Sequence, residues 1–415
     1  MTSSEVQIRP DRLKTLLDGI NKFGFNRQTG GYNRVGFSDM DIAVRSWFRE
    51  QMKESGLDVS VDAAGNLFGR LGTSGKPCVM IGSHLDTVPE GGAFDGALGA
   101  AIGLECVRSL KDHGIEPDFP VVAVATSEEE GRFGGMLGSQ TISGQLAPGW
   151  VEMASDADGV SLVEAMAAQG YSADTLREAA WPNGSIRAFL ELHIEQGPVL
   201  ESEQLSIGIV ESISGVLVLG VSLEGTANHS GTTPMPLRAD AFAGLAEVGV
   251  AIPTIIKDIG TDQSRVTIGK VDLSPNFPHT IPGRADFTII IRDTSAEVMA
   301  TLRSHIEASI TDAAARNSLK ASIEERSYLP PESLDGSVRQ VLLEETKRLG
   351  YSHTVMPSGA GHDAQTMQAF CPSGLVFVPS RNGISHAPEE WTDWTDIEKG
   401  AQVMLNAVLR LSKGD

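Results

Sequence analysis

Cysteine is scarce in this 415-residue chain: three, at positions 78, 106 and 371. They are too few and too widely spaced for a disulfide framework or a thiolate zinc cluster, which fits a reducing cytoplasm. No apolar run approaches the ~18 residues that a bilayer-crossing helix requires, so membrane insertion is excluded. Residues 1–14 lack an apolar segment behind a basic start, and no secretory signal is expected. Basic residues are in the minority, 33 Lys and Arg against 54 Asp and Glu, for a formal net charge of −21. Such a surface repels phosphate backbones, which argues against nucleic acid as a partner. Repeats and low-complexity segments are also missing. Glycine is what abounds: 45 residues, about 11% of the chain against a usual ~7%, which implies many tight turns. The length exceeds what one hydrophobic core normally serves, so two domains are expected.

Residues 11–23 and 39–56 read as helices, and 57–72 as two strands around the turn at 63–66. Short continuous apolar runs at 78–82 and 120–126 then alternate with a helix pattern at 96–113, as in a mainly parallel sheet covered on both faces. Further strands are expected at 188–193 and 205–210, with a helical excursion at 141–186. From 213 to 329 the order becomes strand, helix, strand, strand, helix, strand, a ferredoxin-like arrangement complete in itself. The expected fold is therefore α/β: a catalytic domain of residues 1–212 and 330–415, with flanking helices, and an inserted α+β domain at 213–329. The last segment carries a helix at 336–349, a strand at 375–379 and a final helix at 396–411.

Chemistry-bearing residues fall at the ends of these core strands, where open α/β sheets place their sites. His84 and Asp86 follow the first apolar run and share a face, so the carboxylate can fix the imidazole's tautomer while its other nitrogen binds a metal. Asp95 comes 11 residues after His84, beyond a glycine-rich turn that can return it towards that histidine. Taken alone, Asp95 also reads as a helix cap and His84 as a buried structural imidazole. The second apolar strand delivers Glu128, Glu129 and Glu130. A dication would relieve the repulsion of this triplet and give one carboxylate the role of ligand and another that of general base. His193 and His386 occupy two more strand-end positions. Three imidazoles and several carboxylates so placed suit two divalent ions ~3.5–4 Å apart.

The segments GSHLDTVPEGGAFDGALG, SEEEGRF, ELHIEQGPVLE, SGAGHDA and SRNGISHAPEEW resemble the metallo-amidohydrolases of family M20, in the hydantoinase/carbamoylase branch. The resemblance runs nearly the whole length. The short His84-to-Asp95 spacing, and a histidine at 193 where peptidase relatives use an acidic ligand, favour this branch over dipeptidases. It implies a di-metal catalytic domain with an inserted lid through which two copies dimerise, and two divalent ions, Zn or Mn, Co or Ni. The implied ligands are His84, Asp95 as bridge, Glu129, His193 and His386. Glu128 is implied as general base and Asp86 as the group orienting His84. This register leaves two residues between the glutamate pair and Arg132-Phe133, although Glu129-Glu130 could also be the pair.

The resemblance also implies substrate contacts from Gln196, His229, Arg292 and the Gly359-Ala360 backbone, with His229 reaching the site of the neighbouring subunit. Arg292 is a fork suited to a substrate carboxylate. His279 stands where the family usually has asparagine, next to the substrate. The implied reaction is hydrolysis of a linear C–N bond in an N-carbamoyl-L-amino acid, or in a ureido acid such as allantoate or ureidopropionate. The other readings are an N-acyl amino acid amidohydrolase or dipeptidase of the same family, and a metal-binding homologue without catalysis.

Overall fold

Strands Cys78–His84, Val121–Thr126 and Ser373–Val378 have every residue buried, as their continuous apolar runs require of strands covered on both faces. In the computed structural model, which describes residues 6–414, they lie parallel with Ile186–Ile194. The order is Val121–Thr126, Cys78–His84, Ile186–Ile194, Ser373–Val378. Towards both edges the pairing turns antiparallel. Leu67–Leu71 runs against Val121–Thr126, and Ile207–Ile213 against Ser373–Val378. The sheet, nine-stranded among the described residues, is thus mixed, with its parallel part at the centre. One edge follows from a hairpin: Asp62 accepts from the Ala64 and Asn66 amides and turns Asp58–Val61 tightly into Leu67–Leu71, a connection too short for a parallel pair.

These strands belong to one compact unit, made of residues up to Glu211, Ser333–Met356 and everything from His362 onward. Helices Ala97–Asp112 and Trp394–Leu411 share its principal core with Val79, Ile81, Leu190, Leu192, Val376 and Val378. The three cysteines are free and buried. Burial pushes the Cys78 thiol up to about 11 and the Cys371 thiol up to about 12. No helix among the described residues is long and apolar enough to cross a membrane.

The second unit comprises Ser212–Glu332 and Pro357–Gly361. Strands Gly215–Glu224, Arg265–Ser274, Arg284–Asp293 and Lys320–Leu329 form an antiparallel sheet, backed by helices Ala241–Ile259 and Ala296–Arg316. Burial here has period two. Leu217, Leu219, Val221 and Leu223 alternate inward with Ala285, Phe287, Ile289 and Ile291, and they meet Met299, Leu302, Ile306 and Ile310 at helical spacing. Pro357–Gly361, which the sequence assigns to the catalytic domain, clusters here. The Ser214 amide donates to Ser358 O at 2.9 Å and Arg292 Nη1 to Gly359 O at 2.8 Å.

Helix Ala97–Asp112 lies unusually close to the sheet. A Cβ on Gly103 would stand 2.6 Å from Ile81 O, and one on Gly99 would stand 2.4 Å from Leu192 O. Both obstacles are backbone, which cannot swing aside. Gly103→Val is therefore expected to lower the unfolding free energy of this unit by about 1–3 kcal/mol through overpacking, read from the urea midpoint. An unchanged midpoint would show that the helix can ride outward freely.

Candidate metal centre

Two parallel neighbouring strands bring His84 and His193 side by side at their carboxyl ends, with ring centroids 5.9 Å apart and nearly parallel planes. Each ring is anchored by its inner nitrogen. His84 Nδ1 lies 3.0 Å from Asp86 O, and His193 Nδ1 lies 3.0 Å from Ile194 O. A carbonyl only accepts, so both Nδ1 atoms carry a proton and both Nε2 atoms face outward, that of His193 also 3.1 Å from the Gly96 amide. They converge on Asp95: its Oδ1 is 3.5 Å from His84 Nε2 and 3.1 Å from His193 Nε2. Asp95 Oδ2 turns the other way, 3.4 Å from His386 Nε2. Burial acts to raise Asp95, but His193, His386 and His84 outweigh it and hold the carboxyl well below its ordinary range.

The glutamate triplet differs from the expected register. Glu130 Oε2 lies 3.4 Å from His386 Nε2, and Asp95, Glu130 and His386 form one ligand-type group while His84, Asp95 and His193 form the other. Glu129 Oε2 sits 3.5 Å from His84 Nε2 and belongs to neither group. Glu128, expected as the base, is turned into the protein. Its carboxylate accepts from the Phe133 amide at 2.7 Å, its side chain fills the space beside Gly36, and burial pushes it up to about 8. The backbone explains the change, because Glu128 has a φ of 52°. A left-handed residue breaks the strand's alternation of side-chain directions. Asp86 meets His84 twice: its backbone oxygen lies 3.0 Å from Nδ1 and its Oδ1 3.8 Å from the same nitrogen. Its Oδ2 accepts from the Glu130 amide at 3.1 Å.

Several supporting residues carry no local sequence signal. Glu390 is buried and accepts from the Phe94 and Asp95 amides at 2.8 and 3.0 Å and from Ser385 Oγ at 2.9 Å, which fixes the loop that presents Asp95. Gln196 Nε2 donates to Asp95 Oδ2 at 2.7 Å, so this expected substrate contact also steadies the bridge. His362 packs edge-on against His193 with centroids 4.6 Å apart, and burial holds it well below the ordinary histidine range. Its motif, SGAGHDA, was the only available pointer. Behind the strand ends, buried Arg45 pairs with Asp41 at 2.8 Å and approaches Asp86 at 3.7 Å, while Arg34 donates to Leu85 O at 2.9 Å.

The remaining expected substrate residues lie in the second unit. His229 Nδ1 accepts from the Gly231 amide at 3.0 Å, so the proton resides on Nε2, which is left as a donor. His279 is tied to the same turn, its carbonyl accepting from the Ser230 amide at 3.1 Å. Among the described residues no carboxylate pairs with Arg292, and burial lowers the basicity of its guanidinium. Its guanidinium donates to Gly359 O. The Ala360 amide donates to Ser358 Oγ at 3.1 Å.

Outward imidazole nitrogens on both sides of a single carboxylate, with Glu130 completing the second group, fit a pair of divalent ions by donor chemistry. Comparison with known proteins also leads to a metal-dependent family. The pattern of peptidase family M20/M25/M40 matches residues 80–410, and the chain belongs to that family, whose members are metal-dependent. Within it, the chain falls in the hydantoinase/carbamoylase branch and is an amidohydrolase acting on C–N bonds. It is 37% identical over 413 residues to the N-carbamoyl-L-amino acid amidohydrolase of Geobacillus stearothermophilus, covering 98% of this chain and 100% of that one. It is 36% identical over 405 residues to the allantoate amidohydrolase of Escherichia coli K12, covering 96% and 97%. An amidase of the hydantoinase/carbamoylase family from Burkholderia multivorans superposes with a TM-score of 0.89 at 35% identity, covering 99% of each chain.

Gly96 has a φ of 59°, and a Cβ there would fall 2.2–2.4 Å from three atoms of the His84 ring. In Gly96→Ala either the ring or the Asp95 loop must move by about 1 Å, a displacement that can cost about 100-fold in rate. The variant is expected to keep its circular dichroism and lose amidohydrolase activity on that scale. Wild-type turnover would mean that the loop yields without disturbing the ligands.

Proposed function

We propose that the protein is a two-metal hydrolase cleaving the linear ureido C–N bond of an N-carbamoyl-L-amino acid or a related ureido acid such as allantoate. The observation that carries this reading is the division of Asp95, with Oδ1 towards His84 and His193 and Oδ2 towards His386 and Glu130. The relatives named above act on substrates of this kind, which supports the choice of bond. His84, Asp95 and His193 would hold one ion and Asp95, Glu130 and His386 the other. When bound, such ions supply Lewis acidity to the scissile carbonyl and lower the pKa of the attacking water.

Glu129 then takes the role of general base. Its carboxylate lies beside His84 yet belongs to neither ligand group. It takes a proton from the water that attacks the carbamoyl carbon, and it returns that proton to the leaving nitrogen as the C–N bond breaks. Gln196 holds Asp95 in place. His229, its proton on Nε2, suits an oxyanion developing on the carbamoyl oxygen. Arg292 is proposed as the clamp for the substrate carboxylate, with His279 and the Gly359-Ala360 backbone as further polar contacts. Pairing of two copies through the second unit belongs to the same reading.

Metal analysis should find close to two divalent ions per chain. Chelation should abolish hydrolysis, and Zn, Mn, Co or Ni should restore it. Glu129→Gln is expected to lose at least about 100-fold in kcat while keeping both ions, Glu130→Gln to lose an ion as well, and Glu128→Gln to affect stability first. If Glu128→Gln alone were the lethal change with both ions retained, the base would be Glu128 after all.

Arg292→Ala should cost on the order of 2–4 kcal/mol in kcat/KM for carboxylate-bearing substrates. It should cost little for the matching amides, with metal content unchanged. Equal losses on both would make Arg292 structural. Rates on N-carbamoyl amino acids, allantoate, ureidopropionate and N-acyl amino acids decide the bond, and a preference for the N-acyl series would replace the ureido reading with an aminoacylase.

A further inference from the structure

We propose that Glu191 is a positioning residue for this centre: one buried carboxylate that ties the strand carrying His84 to the helix start behind His362 and so holds the His84 and His193 imidazoles at their spacing. The inference rests on the two-ion reading above. Glu191 precedes His193 by two residues on strand Ile186–Ile194, so their side chains leave the same face. It is fully buried. Its Oε1 accepts from Ser83 Oγ at 2.6 Å, and Ser83 is the residue before His84. Its Oε2 accepts from the Ala364 amide at 2.9 Å, two residues beyond His362. Both oxygens are thus spent on elements that deliver site imidazoles, and the His362 ring itself rests on His193.

Glu191 belongs to neither ligand group, yet its neighbours Phe189, Leu190, Leu192 and Ile194 are the apolar residues of a core strand. Burying a carboxylate on such a strand is costly unless its bonds are made, and a leucine would satisfy packing alone. A second tie runs parallel to it. Thr126 Oγ1 donates to Asp363 Oδ2, which joins the strand leading to the glutamate triplet to the same helix, Asp363–Gln368. Four elements that bring ligand-type or site residues are therefore fastened beneath them by hydroxyl-to-carboxylate and amide-to-carboxylate bonds.

The test uses the zinc-loaded enzyme and two substitutions at one position. Glu191→Leu keeps the volume and removes both bonds. Glu191→Gln can keep both, accepting from the Ala364 amide and donating to Ser83 Oγ. Release of zinc to a chelator, at a temperature where all forms are folded, should accelerate about tenfold in Glu191→Leu and stay within about twofold of wild type in Glu191→Gln. Leu342→Ala, a core truncation that removes neither clamp bond, should lower the melting temperature without hastening release. The Ala364 amide should lose exchange protection in Glu191→Leu whether or not zinc is present. Ser83→Ala, which removes one bond, should show the same effects at smaller size and serves if the leucine variant does not fold. Release at the wild-type rate from Glu191→Leu, or a Glu191→Gln as leaky as the leucine form, overturns the proposal. A wild-type chain that retains no zinc overturns the two-ion reading instead, and amide exchange then still reads the clamp by itself.

Discussion

One carboxylate shared among three imidazoles sets the terms for this molecule. Asp95 can face His84, His193 and His386 at once only because it stands on a loop between the sheet and helix Ala97–Asp112, with its amide and that of Phe94 held by Glu390. The surroundings are heavily acidic. Asp86, Glu128, Glu129, Glu191, Asp363 and Glu390 are all buried near the same strand ends, and the buried cations there are Arg34 and Arg45. Several of these carboxyls are pushed upward by burial and by one another. Such an excess of buried anions is tolerable only with protons or positive ions among them, and dications at the imidazole nitrogens offset it most directly.

The parallel core and the sites at its carboxyl ends were legible because strands buried on both faces leave an unbroken apolar run, and such runs end abruptly where polar residues begin. His84 and His193 close their strands, while Asp95 and His386 stand in the loops that follow such strands. The second unit was legible for the opposite reason, since its strands alternate. Hidden from the sequence were directions and long-range ties. Three consecutive glutamates give no hint that Glu128 adopts a left-handed backbone and turns inward, and Glu390 reaches Phe94 across 296 positions. The antiparallel pairing of Leu67–Leu71 with Val121–Thr126 and of Ile207–Ile213 with Ser373–Val378 was hidden as well, because spacing reports that a strand exists and not which way a distant neighbour runs. Strand His353–Ser358 and helix Asp363–Gln368, only six residues each, are too short to show a period.

The glycines of helix Ala97–Asp112 connect packing to chemistry. By letting the helix settle onto Ile81 and Leu192, Gly99 and Gly103 fix the height of its first turn, and Gly96 at that turn leaves room for the His84 ring. Small residues therefore determine where the bridging carboxylate stands, although none of them carries a reactive group.

The three buried thiols have a consequence of a different kind. A thiol reagent attacks the thiolate, and these side chains combine lack of access with a suppressed thiolate fraction. The folded protein is thus expected to resist alkylation and air oxidation, so that each modification event records an opening of the catalytic unit. Because Cys78 begins a central strand, Cys106 lies in the helix over the sheet and Cys371 stands just before another core strand, their separate labelling rates form an internal clock. Identical rates would signify that the unit opens as a whole, and staggered rates would rank its layers by local stability.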